Sequence, residues 1–199
     1  MVHSELVVHA MRMLYERGLV DIKGGNVSVR FRLGGIDGML VTPGGVAKNS
    51  INPDDVAIVL LDGSIIYGKP SSEYRLHLEI YRRMSFATAV VHAHNPLTVA
   101  LGESIPLEPF AGEALDTCVT IVPHYPAGSK ELAIETATRL EKSGCRAAIL
   151  SGHGVVAVGE GDPKRALINA IEIIEALEYA AWRALATLAA APLRITRGL

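Results

Sequence analysis

Residues 88–96 read TAVVHAHNP, an apolar run that carries two histidines one residue apart and ends at a proline. A run rich in Val and Thr fits a strand, and Pro96 then opens a turn or a helix. In a strand, side chains two apart share a face, so His92 and His94 project side by side. Burying adjacent imidazoles without partners costs about 1–3 kcal/mol for each unsatisfied group. A divalent ion removes that cost, because both nitrogens can reach one ion at about 2.0–2.1 Å.

Outward from this stretch the patterns alternate between the two periods. From Ser72 to Met84 the residues Leu76, Ile80 and Met84 recur every four positions, as on one inward stripe of a helix. Residues 2–17 have the same periodicity and stop at Gly18. Between them NVSVRF, GMLVTP and VAIVLLDG are short β-branched runs broken by Gly, Asn and Pro, the signature of adjacent strands. SKELAIETATRLEKSG (129–144) is an amphipathic helix closed by Gly144. AAILSGHGVVAVG (147–159) is two strand-like halves around Ser151-Gly152-His153-Gly154. Asp162-Pro163 gives an N-cap and a first-turn proline to a last long helix that lines up Leu167, Ile171, Ile174 and Leu177. The sum is an α/β protein, a mixed sheet covered by helices on its faces, with no linker or repeat to divide residues 1–199 into more than one domain.

Composition narrows the function. With 49% hydrophobic residues, 199 residues suffice for a sizeable core. A net charge of −2, from 19 basic and 21 acidic residues without a basic block, excludes an electrostatic footprint for nucleic acid. The N-terminal segment carries Glu5, Arg12 and Glu16 and does not read as a signal peptide, so a cytoplasmic protein is expected. The most apolar stretch, ALEYAAWRALATLAAAPL (176–193), contains Glu178 and Arg183 and reads as a buried or subunit-facing helix rather than a membrane span. Cys118 and Cys145 match neither a metal knuckle nor a CxxC pair and are read as buried thiols.

A third histidine can complete the metal set. His153 stands in the second strand-like segment between Gly152 and Gly154, where backbone or ligand can come close. Three histidines with an open fourth position are the usual arrangement of a catalytic zinc. His77 is assigned to its helix's surface or packing, and His3, His9 and His124 to no role. Three polar loops accompany the histidines. Lys69-Pro70-Ser71-Ser72-Glu73 runs into a helix, with Ser71 or Ser72 as its N-cap, and hydroxyls with free amides at a helix start also bind phosphate. Gly24-Gly25-Asn26-Val27-Ser28 and Thr42-Pro43-Gly44-Gly45 add glycine amides and short polar side chains. Together they suggest a pocket for a small phosphorylated ligand.

The ordered set GGNVSVR, LVTPGG, KPSSE, VVHAHNP and LSGHGVV, which spans nearly the whole chain, resembles the class II aldolase and adducin family, in particular its fuculose-1-phosphate aldolase branch. The resemblance implies a three-layer α/β/α domain with a central mixed, mainly antiparallel sheet. It implies zinc, or another divalent metal, on His92, His94 and His153, with Glu73 as a further ligand or as the catalytic base. It implies a phosphate cradle from Asn26, Ser28, Thr42, Gly44, Ser71 and Ser72, and a homotetramer. The implied reaction joins dihydroxyacetone phosphate to an aldehyde such as lactaldehyde: Glu73 removes the proton next to the carbonyl, giving an enediolate whose charge the metal offsets. Glu73 favours an aldolase over a pentulose-phosphate 4-epimerase, which has aspartate there. Two further readings compete with it, a methylthioribulose-1-phosphate dehydratase and a metal-free oligomerisation module like the adducin head. The sequence departs from the aldolase pattern at Phe110, where the branch has a tyrosine that protonates the aldehyde oxygen, and it ends at Leu199 without the tail that carries a second tyrosine. Glu113, Tyr125 or water are the candidate replacements.

Overall fold

The computed structural model describes residues 2–112 and 115–195, and of residues 2 and 191–195 the backbone alone. Helix α1 (Val2–Glu16) leads into β1 (Asn26–Leu33) and β2 (Ile36–Val41), then β3 (Ala57–Leu60) and β4 (Ile65–Tyr67). Helix α2 (Tyr74–Arg83) precedes β5 (Ala87–Ala93), and two short helices follow, α3 (Pro96–Leu101) and α4 (Glu108–Ala111). Strand β6 (Val119–Val122), helix α5 (Lys130–Ser143), β7 (Ala147–Leu150), β8 (Gly154–Glu160) and helix α6 (Pro163–Ile195) complete the chain.

The eight strands form one sheet in the order β4-β3-β2-β1-β5-β8-β7-β6. Every pairing is antiparallel except β6 with β7, which needs the crossover that α5 provides. Helices cover both faces, with a separate apolar core on each. Val27, Val29, Val91, Val155 and Ala157 pack with α1 and α6 on one face. Met39, Val90, Val156 and Val158 pack on the other against Leu76 and Ile80 of α2 and Leu140 of α5. The period-2 alternation assigns the chemistry to a face as well: Asn26 lies opposite His92 in the β1–β5 register and Ser28 opposite Val90, so the polar side chains Asn26, Ser28 and His92 share the α2 face.

The strands and long helices expected from periodicity are present, and α5 is bounded as its sequence indicates. Ser129 accepts from the Leu132 amide at 3.1 Å, and Gly144 takes a left-handed conformation (φ 71°) with its N–H on the Leu140 carbonyl. Three short elements were not foreseen, β4, α4 and β6, each of three or four residues and too short to show a period. Helix α2 differs at its start: Glu73 is the N-cap residue, with no side-chain cap bond, and the Ser71 hydroxyl only accepts a long 3.4 Å bond from the Glu73 amide.

The reading of the cysteines as thiols is corrected. Cys118 and Cys145 form a disulfide, Cα atoms 4.9 Å apart, with Cys118 exposed and Cys145 buried. The parallel β6–β7 pairing aligns Val119 with Ala147 and so brings together Cys118, one residue before β6, and Cys145, two residues before β7. Among the described residues no helix is long and apolar enough to cross a membrane. In α6, Ala176, Ala180, Ala181 and Ala184 are buried on the sheet side, while Tyr179, Trp182, Leu185 and Leu188 face outward.

Candidate metal centre

Three separate chain turns deliver the site. His92 is the penultimate residue of the central strand β5, and His94 follows just past its end, held there by its amide on the Leu19 carbonyl at 3.0 Å. His153 sits in the turn between β7 and β8, its amide bonded to the Leu150 carbonyl. Glu73 projects from the start of α2. Each of these four side chains offers one ligand atom, and the four atoms all lie within 4.8 Å of one another.

The fine geometry tests whether a metal fits. His92 Nε2 lies 3.2 Å from His94 Nε2 and 3.1 Å from Glu73 Oε2, and His153 Nε2 lies 3.4 Å from Glu73 Oε1. Donors bonded to one tetrahedral ion at about 2.0–2.1 Å sit about 3.3 Å apart, so the spacing suits a four-ligand site. His92 Nδ1 faces the Val155 carbonyl at 3.0 Å; a carbonyl only accepts, so this nitrogen carries the proton and Nε2 presents its lone pair inward. Burial, with His92 and His153 as like charges, pulls His94 down to about 4, and burial likewise lowers His153. Both imidazoles are therefore neutral at pH 7 and able to ligate. Burial opposes ionisation of Glu73, whereas positive charge on the imidazoles, His92 first, outweighs it and holds the carboxyl well below the usual carboxylate range. Glu73 Oε1 and His153 Nδ1 are buried without a hydrogen-bond partner, which leaves Oε1 free for an ion.

Close backbone approach explains the flanking glycines. A Cβ on Gly154 would meet His92 Cε1 at 2.7 Å, and one on Gly24 would collide with His94 Nδ1 and meet Asp21 Oδ2 at 2.8 Å. Asp21 stands 3.7 Å from His94 Nδ1 on the outer side of that ring.

Behind the ligands runs a buried chain of hydrogen bonds that sequence reasoning missed. The Asn26 amide donates to Glu73 Oε2 at 3.3 Å, and its Oδ1 accepts from His77 Nε2. That fixes the His77 proton on Nε2, so Nδ1 accepts from the Ser28 hydroxyl at 2.7 Å, and Ser28 in turn accepts from Tyr81 at 2.8 Å. His77 is fully buried, and burial followed by the nearby His92 lowers it to about 3, consistent with a neutral ring. Its signal was present in the helix period: His77 is one turn after Glu73 and one turn before Tyr81, on the same face.

Residues 5–181 match the family described as Class II Aldolase and Adducin N-terminal domain. The chain belongs to this family. With Glu73 and the three histidines converged, it stands on the enzyme side of the class II aldolase family, among aldolases, which are lyases. It is 38% identical over 170 residues to an L-fuculose phosphate aldolase of Methanocaldococcus jannaschii, covering 84% of this chain and 87% of that one. It is 34% identical over 175 residues to a 5-deoxy-D-ribulose 1-phosphate aldolase of Bacillus thuringiensis, covering 85% and 79%. A solved structure, the L-fuculose-1-phosphate aldolase of Thermus thermophilus, superposes with a TM-score of 0.79 at 32% identity, over 98% of this chain and 96% of that one.

In this class II aldolase fold the polar loops meet beside Glu73. Ser71 donates its amide to the Thr42 carbonyl, Gly44 donates to the Lys69 carbonyl, and Pro43 bridges Pro70, so Thr42–Gly44 and Ser71–Ser72 lie side by side. The residues expected to cradle phosphate divide here. Ser72 is exposed, and the Ser71 and Thr42 hydroxyls, though buried, accept one bond each and keep a free proton, whereas the equally buried Ser28 hydroxyl is committed to His77 and Tyr81. Asn26 is likewise committed, to Glu73 and His77. Phe110 packs against the core on the α6 side and gives its carbonyl to Arg183 at 2.6 Å. Tyr125 packs against the opposite core, and Glu113 lies outside the described residues.

Proposed function

We propose that the chain is a metal-dependent aldolase acting on a ketose 1-phosphate of the L-fuculose 1-phosphate type, with dihydroxyacetone phosphate as one half and an aldehyde such as lactaldehyde as the other. The observation that carries this reading is the convergence of His92, His94, His153 and Glu73, with the inward nitrogen of His92 unprotonated. A divalent ion held there, zinc first by its preference for tetrahedral nitrogen and oxygen sites, supplies Lewis acidity to the donor's carbonyl oxygen when bound.

The chain's own residues do the rest. Glu73 is ionised and buried, and takes the proton from the carbon beside the carbonyl, a step worth about 10²–10⁴-fold for a placed base. Asn26, fixed by His77, aims the carboxylate by its bond to Oε2. The electron pair released on carbon forms the new bond to the aldehyde carbon, whose π pair moves onto its oxygen, and that oxygen takes a proton from water. Thr42, Ser71 and Ser72 hold the phosphate, and Gly44, where a Cβ would meet the Pro70 carbonyl at 2.8 Å, lets their two loops close on each other. Glu73 favours this aldolase reading over the epimerase, and the convergence of all four residues favours it over the scaffold.

The relative named for 5-deoxy-D-ribulose 1-phosphate supports a second reading that keeps the donor half and changes only the aldehyde. Incubation with each of the two ketose phosphates, with dihydroxyacetone phosphate measured by coupled reduction, tests the proposal. Release that stops on chelation and returns with zinc is expected; no release from either ketose contradicts it. We further infer a cytoplasmic homotetramer, for which the outward row Tyr179, Trp182, Leu185 and Leu188 is a suitable apolar face.

A further inference from the structure

The neutral residues of the phosphate cradle leave a dianion without a counter-charge from the protein. Thr42, Ser71 and Ser72 bring no charged group, and Glu73 beside them is an acid. Of the cations near the cradle, Lys69 is exposed and Lys48 is buried. Lys48 is 3% exposed and is the one buried lysine or arginine among the described residues. It follows the Thr42–Gly45 loop, and its amide is pinned to the Ile22 carbonyl at 2.9 Å, so its stem starts beside the segment that presses on His94. Its ammonium donates to the Pro43 carbonyl at 3.4 Å, a long bond; burial lowers its pKa from the ordinary lysine value, and the carboxylates of Asp21 and Glu73 act against that. An ammonium carries three donors and Lys48 uses one. A buried cation with unused donors is stabilised by further acceptor oxygens, most of all by those of an anion.

We propose that Lys48 is a substrate-binding residue, the fixed positive charge that recognises the phosphate of the donor beneath the Thr42–Gly44 loop. This rests on the reading of the site as one for a phosphorylated ketose. Lys48 thereby sets the preference for phosphorylated over unphosphorylated donors, since its charge has nothing to neutralise in dihydroxyacetone itself. The sequence pattern hides it: Lys48 stands in the irregular run Val46-Ala47-Lys48-Asn49-Ser50, where a lysine reads as solvated.

The test compares the parent with Lys48→Met and Lys48→Gln, the second keeping a donor for the Pro43 carbonyl while removing the charge. Metal content and thermal unfolding are measured first, on zinc-loaded protein. KM is then measured for dihydroxyacetone phosphate and for dihydroxyacetone, and inorganic phosphate is titrated by calorimetry. The loss of a charge-assisted bond predicts KM for the phosphorylated donor about 10- to 100-fold higher in both variants. KM for dihydroxyacetone stays unchanged, and phosphate binding weakens in parallel at equal zinc content. Equal losses on both donors, or phosphate bound by the variants as by the parent, overturn the proposal and leave Lys48 as a support for the Pro43 carbonyl. If the parent turns over neither donor, the aldolase reading fails instead, and the phosphate titration still decides the role of Lys48.

Discussion

His77 couples the buried chain behind the metal site to the pH dependence of folding. Its folded value is held at about 3 by burial and the nearby His92, against an ordinary value of 6.5 in the unfolded chain. Between these values the unfolded chain binds a proton that the folded one does not, so stability is full above pH 6.5 and falls as the pH drops, by about 1.4 kcal/mol per unit. From pH 7.5 to pH 5 the loss through His77 alone is about 2 kcal/mol. In His77→Gln the amide can still donate to Asn26 and accept from Ser28, and nothing at that position titrates. Urea unfolding of metal-free parent and variant is followed by circular dichroism at pH 7.5, 6 and 5, at one protein concentration. His94 and His153 shift in the same direction in both proteins and cancel in the difference. The parent is expected to lose about 2 kcal/mol more than the variant over this range. A gap that stays constant with pH would mean that His77 takes up its proton as readily folded as unfolded, and the assigned direction of the Asn26–His77–Ser28 hydrogen bonds would be wrong.

Three further outcomes follow from the same geometry. Glu73→Gln is expected to slow proton abstraction by about 10²–10⁴-fold while zinc stays bound to the three histidines, and full turnover in this variant contradicts the base role. His153→Ala removes one of three imidazole ligands, so its zinc affinity in a competition titration with a chelator falls well below the parent's; equal affinity refutes the three-histidine site. Cys145→Ser opens a disulfide that spans 27 residues, and chain entropy puts the loss at about 3.5 kcal/mol in denaturant unfolding, whereas an unchanged midpoint would show that the bond does not constrain the chain.

The ends of the central strands were the most legible part of the chain. The alternation in TAVVHAHNP placed His92 on one face, and the glycines around His153 announced close packing, so three of the four candidate ligands could be named from spacing, while Glu73 came with the family resemblance. What spacing could not supply was depth. Ser28 looked like a phosphate donor because a strand's side chains alternate between faces, and nothing local says that its face is covered by α2. His77 looked like a packing residue because its partners Asn26 and Ser28 lie about fifty positions away and meet it only through the sheet. The same holds for the disulfide, since the parallel register of β6 with β7 is what brings Cys118 to Cys145, and β6 is four residues long with no period to announce it. Lys48 was passed over for a related reason: burial of a charged residue in a loop is decided by neighbouring loops rather than by its own segment.

The most direct test of the account is the exchange of the carbon-bound hydrogens of dihydroxyacetone phosphate in heavy water, followed by NMR with purified protein before and after chelation. It requires no knowledge of the aldehyde. The account predicts stereospecific loss of one hydrogen that stops when the metal is removed, resumes when zinc is restored, and nearly disappears in Glu73→Gln. Absence of exchange in protein shown to contain zinc would contradict proton abstraction from this donor and, with it, the aldolase reading.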